Sequence, residues 1–236
     1  MKLILLAAGK SSRIYKKLGK HKCLLKIKNK TLIEKIIDDA RSCGLKKIDV
    51  IVGFKKENIM SHFKNSKIKF IYNKYYNTYE MLYSFILGLK NSNDDLIMSY
   101  TDIFYEKKIF KKLLQLKSKN ITLPILTNWK SILKKKNKNI FDDAETLKIN
   151  KAKYLLEIGN KINKINQVNG QYMGILFVPK EMKEKLLKIY AKIKVSKKLH
   201  MTNFLNVLIK KDVKIKCIPY RGIWYEFDDM EDVQNF

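Results

Sequence analysis

The sequence predicts an α/β protein of the nucleotide-binding type, built around a mostly parallel sheet. Three observations carry that prediction. Short continuous apolar runs, residues 3–7 foremost, have the character of strands covered on both faces. Segments with apolar residues every three or four positions alternate with those runs, as β-α units require. Finally, 46% hydrophobic residues over 236 positions supply one sizeable core and exclude a disordered basic tail.

The first strand, about residues 3–7, ends in a small-residue loop over residues 9–13. Thr31 precedes an amphipathic run over 32–40 and has Glu34 three residues on, so a capped helix is expected, closed by Gly44. A second buried strand is expected at 48–53, a short helix at 57–63 and a third strand at 69–72. The aromatic, Asn-rich loop 73–79 leads into a helix at 80–89, and a fourth strand runs from 95 to Asp102. Beyond Asp102 the order is less regular: a helix near 107–116, a strand near 122–126 and a Lys/Asn-rich break at 134–139. Alternating segments at 146–149, 154–158 and 174–178 predict strands of mixed direction, with turns at Asn160 and at Asn169-Gly170. Helices at 181–191 and 201–210, a strand at 215–219 and a strand-like segment at 224–228 complete the chain. With no internal repeat and no Pro/Gly-rich linker, residues 1–236 read as a single domain.

The balance of 50 Lys+Arg against 22 Asp+Glu gives a net charge of +28, which would attract nucleic acid, anionic lipid or a polyphosphate. The excess is almost entirely lysine, since only Arg13, Arg41 and Arg221 are arginines, and Gly and Pro are scarce. An AT-rich coding bias produces such a composition with no binding purpose. A basic RNA- or DNA-binding protein draws support from the rings between lysines at 69–83, but the lysines are dispersed along the whole chain, which disfavours nucleic acid as a partner. Cys23, Cys43 and Cys217 form neither a metal-ligand cluster nor a paired framework, as suits a reducing compartment. The apolar start is too short for a membrane span. A cytoplasmic protein without membrane insertion is expected.

Open parallel sheets bind ligands beyond the carboxyl ends of their strands, where the 9–13 loop and Asp102 both fall. Gly9, Ser11, Ser12 and Arg13 offer N–H groups, hydroxyls and a guanidinium to phosphate oxygens, and Lys22 adds a mobile point charge. A triphosphate suits such a site. The loop has neither P-loop spacing nor the dinucleotide fingerprint, and a purely structural turn is an equal reading. Asp102 and Asp228 are candidates to hold Mg²⁺ together with phosphate oxygens, while Asp229, Glu231 and Asp232 read as a capped final turn or a solvated face. His21, His62 and His200 read as surface or structural residues.

The runs Leu6-Ala7-Ala8-Gly9-Lys10-Ser11-Ser12-Arg13, Lys22-Cys23-Leu24-Leu25 and Lys30-Thr31-Leu32-Ile33 resemble the N-terminal signature of nucleotidyltransferases that activate small phosphorylated compounds. That signature is Leu-Ala-Ala-Gly-x-Gly-Ser/Thr-Arg with a later Pro-Lys, and here Ser11 stands for the second Gly and His21 for the Pro. Ile51-Val52-Gly53-Phe54, Asn73 with Tyr83-Ser84, the strand end at Asp102, Gly170-Gln171-Tyr172-Met173-Gly174 and Trp224-Tyr225-Glu226-Phe227-Asp228 extend the resemblance over nearly the whole chain. In look it is nearest to the phosphocholine and 2-aminoethylphosphonate cytidylyltransferases.

The resemblance implies a Rossmann-like three-layer α/β/α nucleotidyltransferase fold whose mixed central sheet carries a small inserted portion, residues 120–180, that covers the acceptor. It implies that Gly9, Lys10, Ser11, Ser12 and Arg13 wrap the triphosphate, that Ala7 and Ala8 take part in base selection, that Lys22 stabilises the α-phosphate, and that Asp102 and Asp228 hold Mg²⁺. Val52, Gly53, Glu80, Ser84 and Thr101 would shape the nucleoside pocket, with CTP preferred. Lys22, Arg13 and Asp102 would carry catalysis. Trp129, Glu145, Tyr172 and Trp224 would contact the acceptor, a small phosphorylated or phosphonate compound such as phosphocholine, phosphoethanolamine or 2-aminoethylphosphonate, with Asp142 or Asp143 beside a cationic group. A sugar 1-phosphate acceptor stays open, as does a homodimer. Family members commonly supply cell-surface polysaccharide synthesis.

Overall fold

A computed structural model describes residues 1–64, 66–135, 139–193 and 199–236, leaving out the side chains of Lys135, Asp142 and Asp143. The strands are β1 (Lys2–Ala7), β2 (Lys26–Ile27), β3 (Lys30–Thr31), β4 (Lys47–Val52), β5 (Lys69–Tyr72), β6 (Leu96–Tyr100), β7 (Ile103–Tyr105) and β8 (Ile121–Leu126). They continue with β9 (Glu145–Ile149), β10 (Leu155–Lys161), β11 (Gln171–Tyr172), β12 (Ile175–Val178), β13 (Ile215–Tyr220) and β14 (Trp224–Glu226). The helices are α1 (Ser12–Leu18), α2 (Leu32–Ser42), α3 (Lys56–His62), α4 (Met81–Lys90) and α5 (Lys108–Leu114), then α6 (Trp129–Lys135), α7 (Ile140–Asp143), α8 (Lys183–Lys192), α9 (Met201–Lys210) and α10 (Met230–Gln234).

An eight-stranded sheet forms the middle layer. β1 lies between β4 and β6 and is parallel to both, and β5 extends the β4 side. On the other side β12 runs antiparallel to β6 and to β8, β11 pairs with the end of β8, and β13 runs parallel to β8 as the far edge. The sheet is therefore mixed and largely parallel. Its layering is written into alternate side chains: Leu3, Leu5 and Ala7 join one core with Ile33, Ile36 and Ile37 of α2, while Ile4 and Leu6 join another with Phe85 and Ile86 of α4 and Phe204 of α9. Both faces of β1 are thus apolar and covered, which is why its sequence is a continuous run rather than an alternation. Each fully buried Leu or Ile there contributes about 1.5–3 kcal/mol. Close packing also selects small residues: a side chain at Gly88 would meet Ile4 at 2.8 Å, so glycine lets α4 settle on β1.

Most expected elements form within a residue or two of their expected ends. α2 carries the predicted capping box, with the Thr31 hydroxyl accepting from Glu34 N and Glu34 Oε2 accepting from Thr31 N. Four departures matter. Ser12 and Arg13 sit in α1, not in a loop, because Ser11 takes the left-handed conformation (φ 51°) and turns the chain straight into a helix. Asn160 is not a turn residue but lies within β10, where the register against β9 shifts and Gly159 (φ 82°) makes the bend. Residues 129–135 form the unexpected α6, and residues 103–105 form β7 against β14. Part of the Lys/Asn-rich break at 134–139 lies outside the described residues. The stretch 120–180 is divided: β8 and β12 belong to the central sheet, and the β9–β10 ribbon packs beside α9.

Candidate functional site at the carboxyl edge of the sheet

Three cavities open along the carboxyl edge of β1 and β6, and Met81, the first residue of α4, lines all three. The smallest, about 170 Å³, is walled by Ala7, Gly9, Ser11, His21, Lys22 and Asp102, among others. The second, about 270 Å³, is walled by Ala8, Lys10, Asn73, Tyr76, Glu80 and Ser84, among others. The largest, about 500 Å³, is lined in part by Glu145, Tyr172, Trp224, Glu226 and Asp228, with Thr202 and Asn203 from the start of α9.

Lys22 stands where the smallest and largest cavities meet. Its Nζ lies 3.3 Å from Asp102 Oδ2, in the wall of the smallest, and 3.3 Å from Asp228 Oδ1, in the wall of the largest. The distant carboxylates converge because β14 pairs with β7 directly after Asp102 and because Phe227 N donates to the Asp102 carbonyl (2.9 Å). Asp228 is held in turn by its N–H donating to Asp232 Oδ2 (2.7 Å), within the capping box of α10. Thr101 is fixed by its hydroxyl donating to the Leu6 carbonyl (2.8 Å), and Ser11 Oγ accepts from Lys22 N (3.2 Å), tying the first loop to the lysine.

One ammonium faces two carboxylates, with the Glu226 carboxylate adding to the negative field. Burial pulls the Lys22 ammonium down, but Asp102 and Asp228 outweigh it and its pKa lies above the ordinary lysine value. Burial lifts the Asp102 carboxyl above the ordinary range, Lys22 opposes that, and the nearby Asp228 charge reinforces it. Asp102 Oδ1 is buried with no hydrogen-bond partner among the described residues. A hard cation placed between the two carboxylates would satisfy that oxygen and offset the excess negative charge, so the donor set fits Mg²⁺ completed by phosphate oxygens. Among the described residues no group of three or more His, Cys, Asp or Glu side chains forms a self-sufficient metal site.

The second cavity is shaped from beneath by a hydrogen-bonded pair: Asn73 Nδ2 donates to Ser84 Oγ (3.0 Å) and Asn73 Oδ1 accepts from Tyr75 N (2.9 Å). Val52 and Gly53 do not line it. Val52 is buried in β4 and accepts from Asn73 N (2.8 Å), and Gly53 lies so close to Ala8 that a Cβ there would meet the Ala8 carbonyl at 2.5 Å. Arg13 is exposed on α1 and lines none of the three cavities, and neither does Ser12. Trp129 is 3% exposed and packs in the core instead of reaching the large cavity. The side chains of Asp142 and Asp143 lie outside the described residues.

Several lining residues had no place in the expected set. Glu226 was findable, because Trp224, Glu226 and Asp228 alternate along one strand direction and all line the large cavity. Thr202 and Asn203 reach it only because α9 packs on β10, where a Cβ at Gly159 would meet Thr202 at 2.5 Å. His21, read as surface or structural, is buried in the wall of the smallest cavity.

The model of the MobA-like NTP transferase domain matches residues 3–156, the stretch that carries the 9–13 loop, Lys22 and Asp102. The chain belongs to this family. It is accordingly a nucleotidyltransferase that draws on a nucleoside triphosphate. It is 28% identical to the CTP:phosphoglutamine cytidylyltransferase of Campylobacter jejuni, over 99% of this chain and 98% of the relative. Among solved structures it resembles the inositol-1-phosphate CTP transferase of T. maritima (TM-score 0.76, 16% identity, 98% of this chain and 90% of the other). It also resembles the CTP:phosphocholine cytidylyltransferase of Streptococcus pneumoniae (TM-score 0.74, 19% identity, 99% and 96%). At these identities the structural likeness establishes the MobA-like fold and no acceptor. Among the described residues no helix is long and apolar enough to cross a membrane.

Proposed function

We propose that this protein transfers a cytidylyl group from CTP to a small acceptor bearing a phosphate or phosphonate, releasing pyrophosphate. One observation carries the reading: the Lys22 ammonium joins Asp102 in the smallest cavity to Asp228 in the largest, at the place where a nucleotide α-phosphate and an acceptor oxygen would meet. CTP is supported by the names of the phosphoglutamine, inositol-1-phosphate and phosphocholine enzymes. The same names spread the acceptor beyond the phosphocholine branch. A sugar or polyol 1-phosphate suits the hydrogen-bonding rim of Gln171, Thr202 and Asn203, whereas a phosphorylated amine suits the carboxylates and the rings of Tyr100, Tyr172 and Trp224.

In this reading an acceptor oxygen forms a bond to the α-phosphorus while the bond from that phosphorus to the bridging α–β oxygen breaks. The acceptor oxygen is already anionic near neutral pH, so no proton need leave it. Lys22 neutralises charge as it shifts onto the leaving pyrophosphate, and the Ser11 hydroxyl holds the lysine's backbone beside the phosphates. Asp102 and Asp228 would hold Mg²⁺, which when bound supplies further charge neutralisation and alignment of phosphate oxygens. The deciding experiment sets the four NTPs, with Mg²⁺, against phosphocholine, phosphoethanolamine, 2-aminoethylphosphonate, phosphoglutamine, inositol 1-phosphate and glucose 1-phosphate. Pyrophosphate release is expected for at least one pair containing CTP. Release only with another NTP would overturn the CTP assignment, and folded protein silent with every pair would overturn the reading for these acceptors.

A further inference from the structure

His21 is 1% exposed, lines the smallest cavity beside Ser11, Lys22 and Asp102, and its Nε2 is buried with no hydrogen-bond partner among the described residues. A buried polar nitrogen left unpaired is costly, so its retention calls for a partner that arrives. The ring is held from two sides. Tyr15 of α1 meets it edge-on with centroids 5.6 Å apart, and Phe54, just after β4, meets it likewise at 5.6 Å. The Lys55 ammonium lies over the Tyr15 ring, 5.0 Å from its centroid. The ring is therefore fixed by α1 and by the segment after β4, and it shares the smallest cavity with the first loop and Lys22.

The backbone sharpens the point. His21 has φ −65° and ψ 146°, the conformation of a proline, which is the residue that stands here in the signature this chain otherwise follows. Proline would restrict the unfolded chain and leave no polar atom unpaired. An imidazole in its place adds a group able to hold a proton beside a site for phosphates.

Resting on the proposed triphosphate site, we propose that His21 is a further nucleotide-binding residue, donating from a protonated Nε2 to a phosphate oxygen of the bound triphosphate. In the free protein, burial, and secondarily the Lys55 charge, favour the neutral ring against the opposing pull of the Lys55 backbone. The charged and titratable groups about it are Lys55 and Tyr15 on the packed side and Lys22, Cys23 and Asp102 in the cavity wall. The phosphate anions of an entering nucleotide reverse the balance, and the ring takes one proton from solvent. Binding becomes proton-linked: affinity rises as pH falls through the neutral range, by about tenfold for each unit by which the nucleotide raises the His21 pKa.

The test measures Kd and proton uptake by titration calorimetry, in buffers of differing ionisation enthalpy, for CTP with Mg²⁺ and for inorganic tripolyphosphate. His21→Gln removes the titration and His21→Pro restores the residue the backbone already suits. Terminal phosphate protonation is common to all three proteins, so the difference between them is the readout. Both variants are expected to keep the wild-type Tm or exceed it while losing the extra proton and flattening the pH dependence of Kd. Equal uptake in all three proteins would overturn the inference and leave the enzyme reading standing. Failure of the wild type to bind either probe would overturn both.

Discussion

At the scale of single residues, Lys22 is the point on which the site turns. It is the one residue of the expected set that touches both carboxylates, and each of those belongs to a different cavity wall. Lys22→Ala and Asp102→Asn are each expected to lower kcat by about 10²–10³-fold, as loss of a charge-stabilising group does, with Tm changed little. Steady-state rates beside thermal melts check this, and normal rates in both variants would remove the pair from the mechanism. The cysteines divide by burial. Burial pushes the thiols of Cys23 and Cys217 up to about 12, whereas Cys43 is partly exposed. Iodoacetamide near neutral pH is expected to label Cys43 alone in the native protein and all three in urea, read by mass spectrometry.

At the scale of elements, the connection from β1 into α1 shows how a substitution is compensated. Ser11 takes a left-handed backbone that favours glycine, the residue of the signature there, and its hydroxyl accepts from Lys22 N. The β9–β10 ribbon, which borders the large cavity through Glu145 and Gly159, is pinned by an ion pair between Lys148 Nζ and Glu157 Oε2 at 2.6 Å. Hydrogen bonds from Lys148, then Asn160, hold the Glu157 carboxyl down at about 2 against an ordinary value of 4.5. A carboxyl depressed in the folded state contributes stability that is whole above its unfolded pKa. That contribution is lost as pH falls from about 4.5 through about 2. The Tm gap between wild type and Glu157→Gln is therefore expected to narrow from about pH 6 to about pH 3, modestly because the pair is partly exposed. A gap that stays constant or widens on acidification would contradict the pairing.

At the scale of the whole molecule, the +28 charge and the acidic site pull in different directions. The large cavity gathers Glu80, Glu145, Glu226 and Asp228, while the lysines are spread along the chain. Three of the rings that suggested a single-strand platform are engaged with one another: Tyr79 stacks on Tyr83 with centroids 5.0 Å apart, and Tyr75 meets both edge-on. Weak binding of polynucleotides is expected to vanish at about 0.3 M salt while cytidylyl transfer stays within about twofold, because exposed lysines act through a screened field and Lys22 acts at contact. Parallel binding and turnover assays across a salt series check this. A joint fall of both would assign the surface charge to the site.

The sequence by itself determined most of the elements. Periods of two and 3.6, the Thr31–Glu34 box and the continuous apolar β1 are local facts, set by burial and capping within a few residues. They place Gly9, Ser11 and Asp102 near the carboxyl edge with no knowledge of the sheet. Only the tertiary structure decided which distant groups meet. The β7–β14 ladder delivers Asp228 to Lys22, α9 packed on β10 delivers Thr202 and Asn203 to the large cavity, and the core keeps Trp129 away from it. It also decided between the surface and structural readings of His21, which is buried because Tyr15 and Phe54 close on it from two separate elements. Such contacts arise from strand pairing and side-chain packing between segments far apart in the chain, and no periodicity within one segment encodes them.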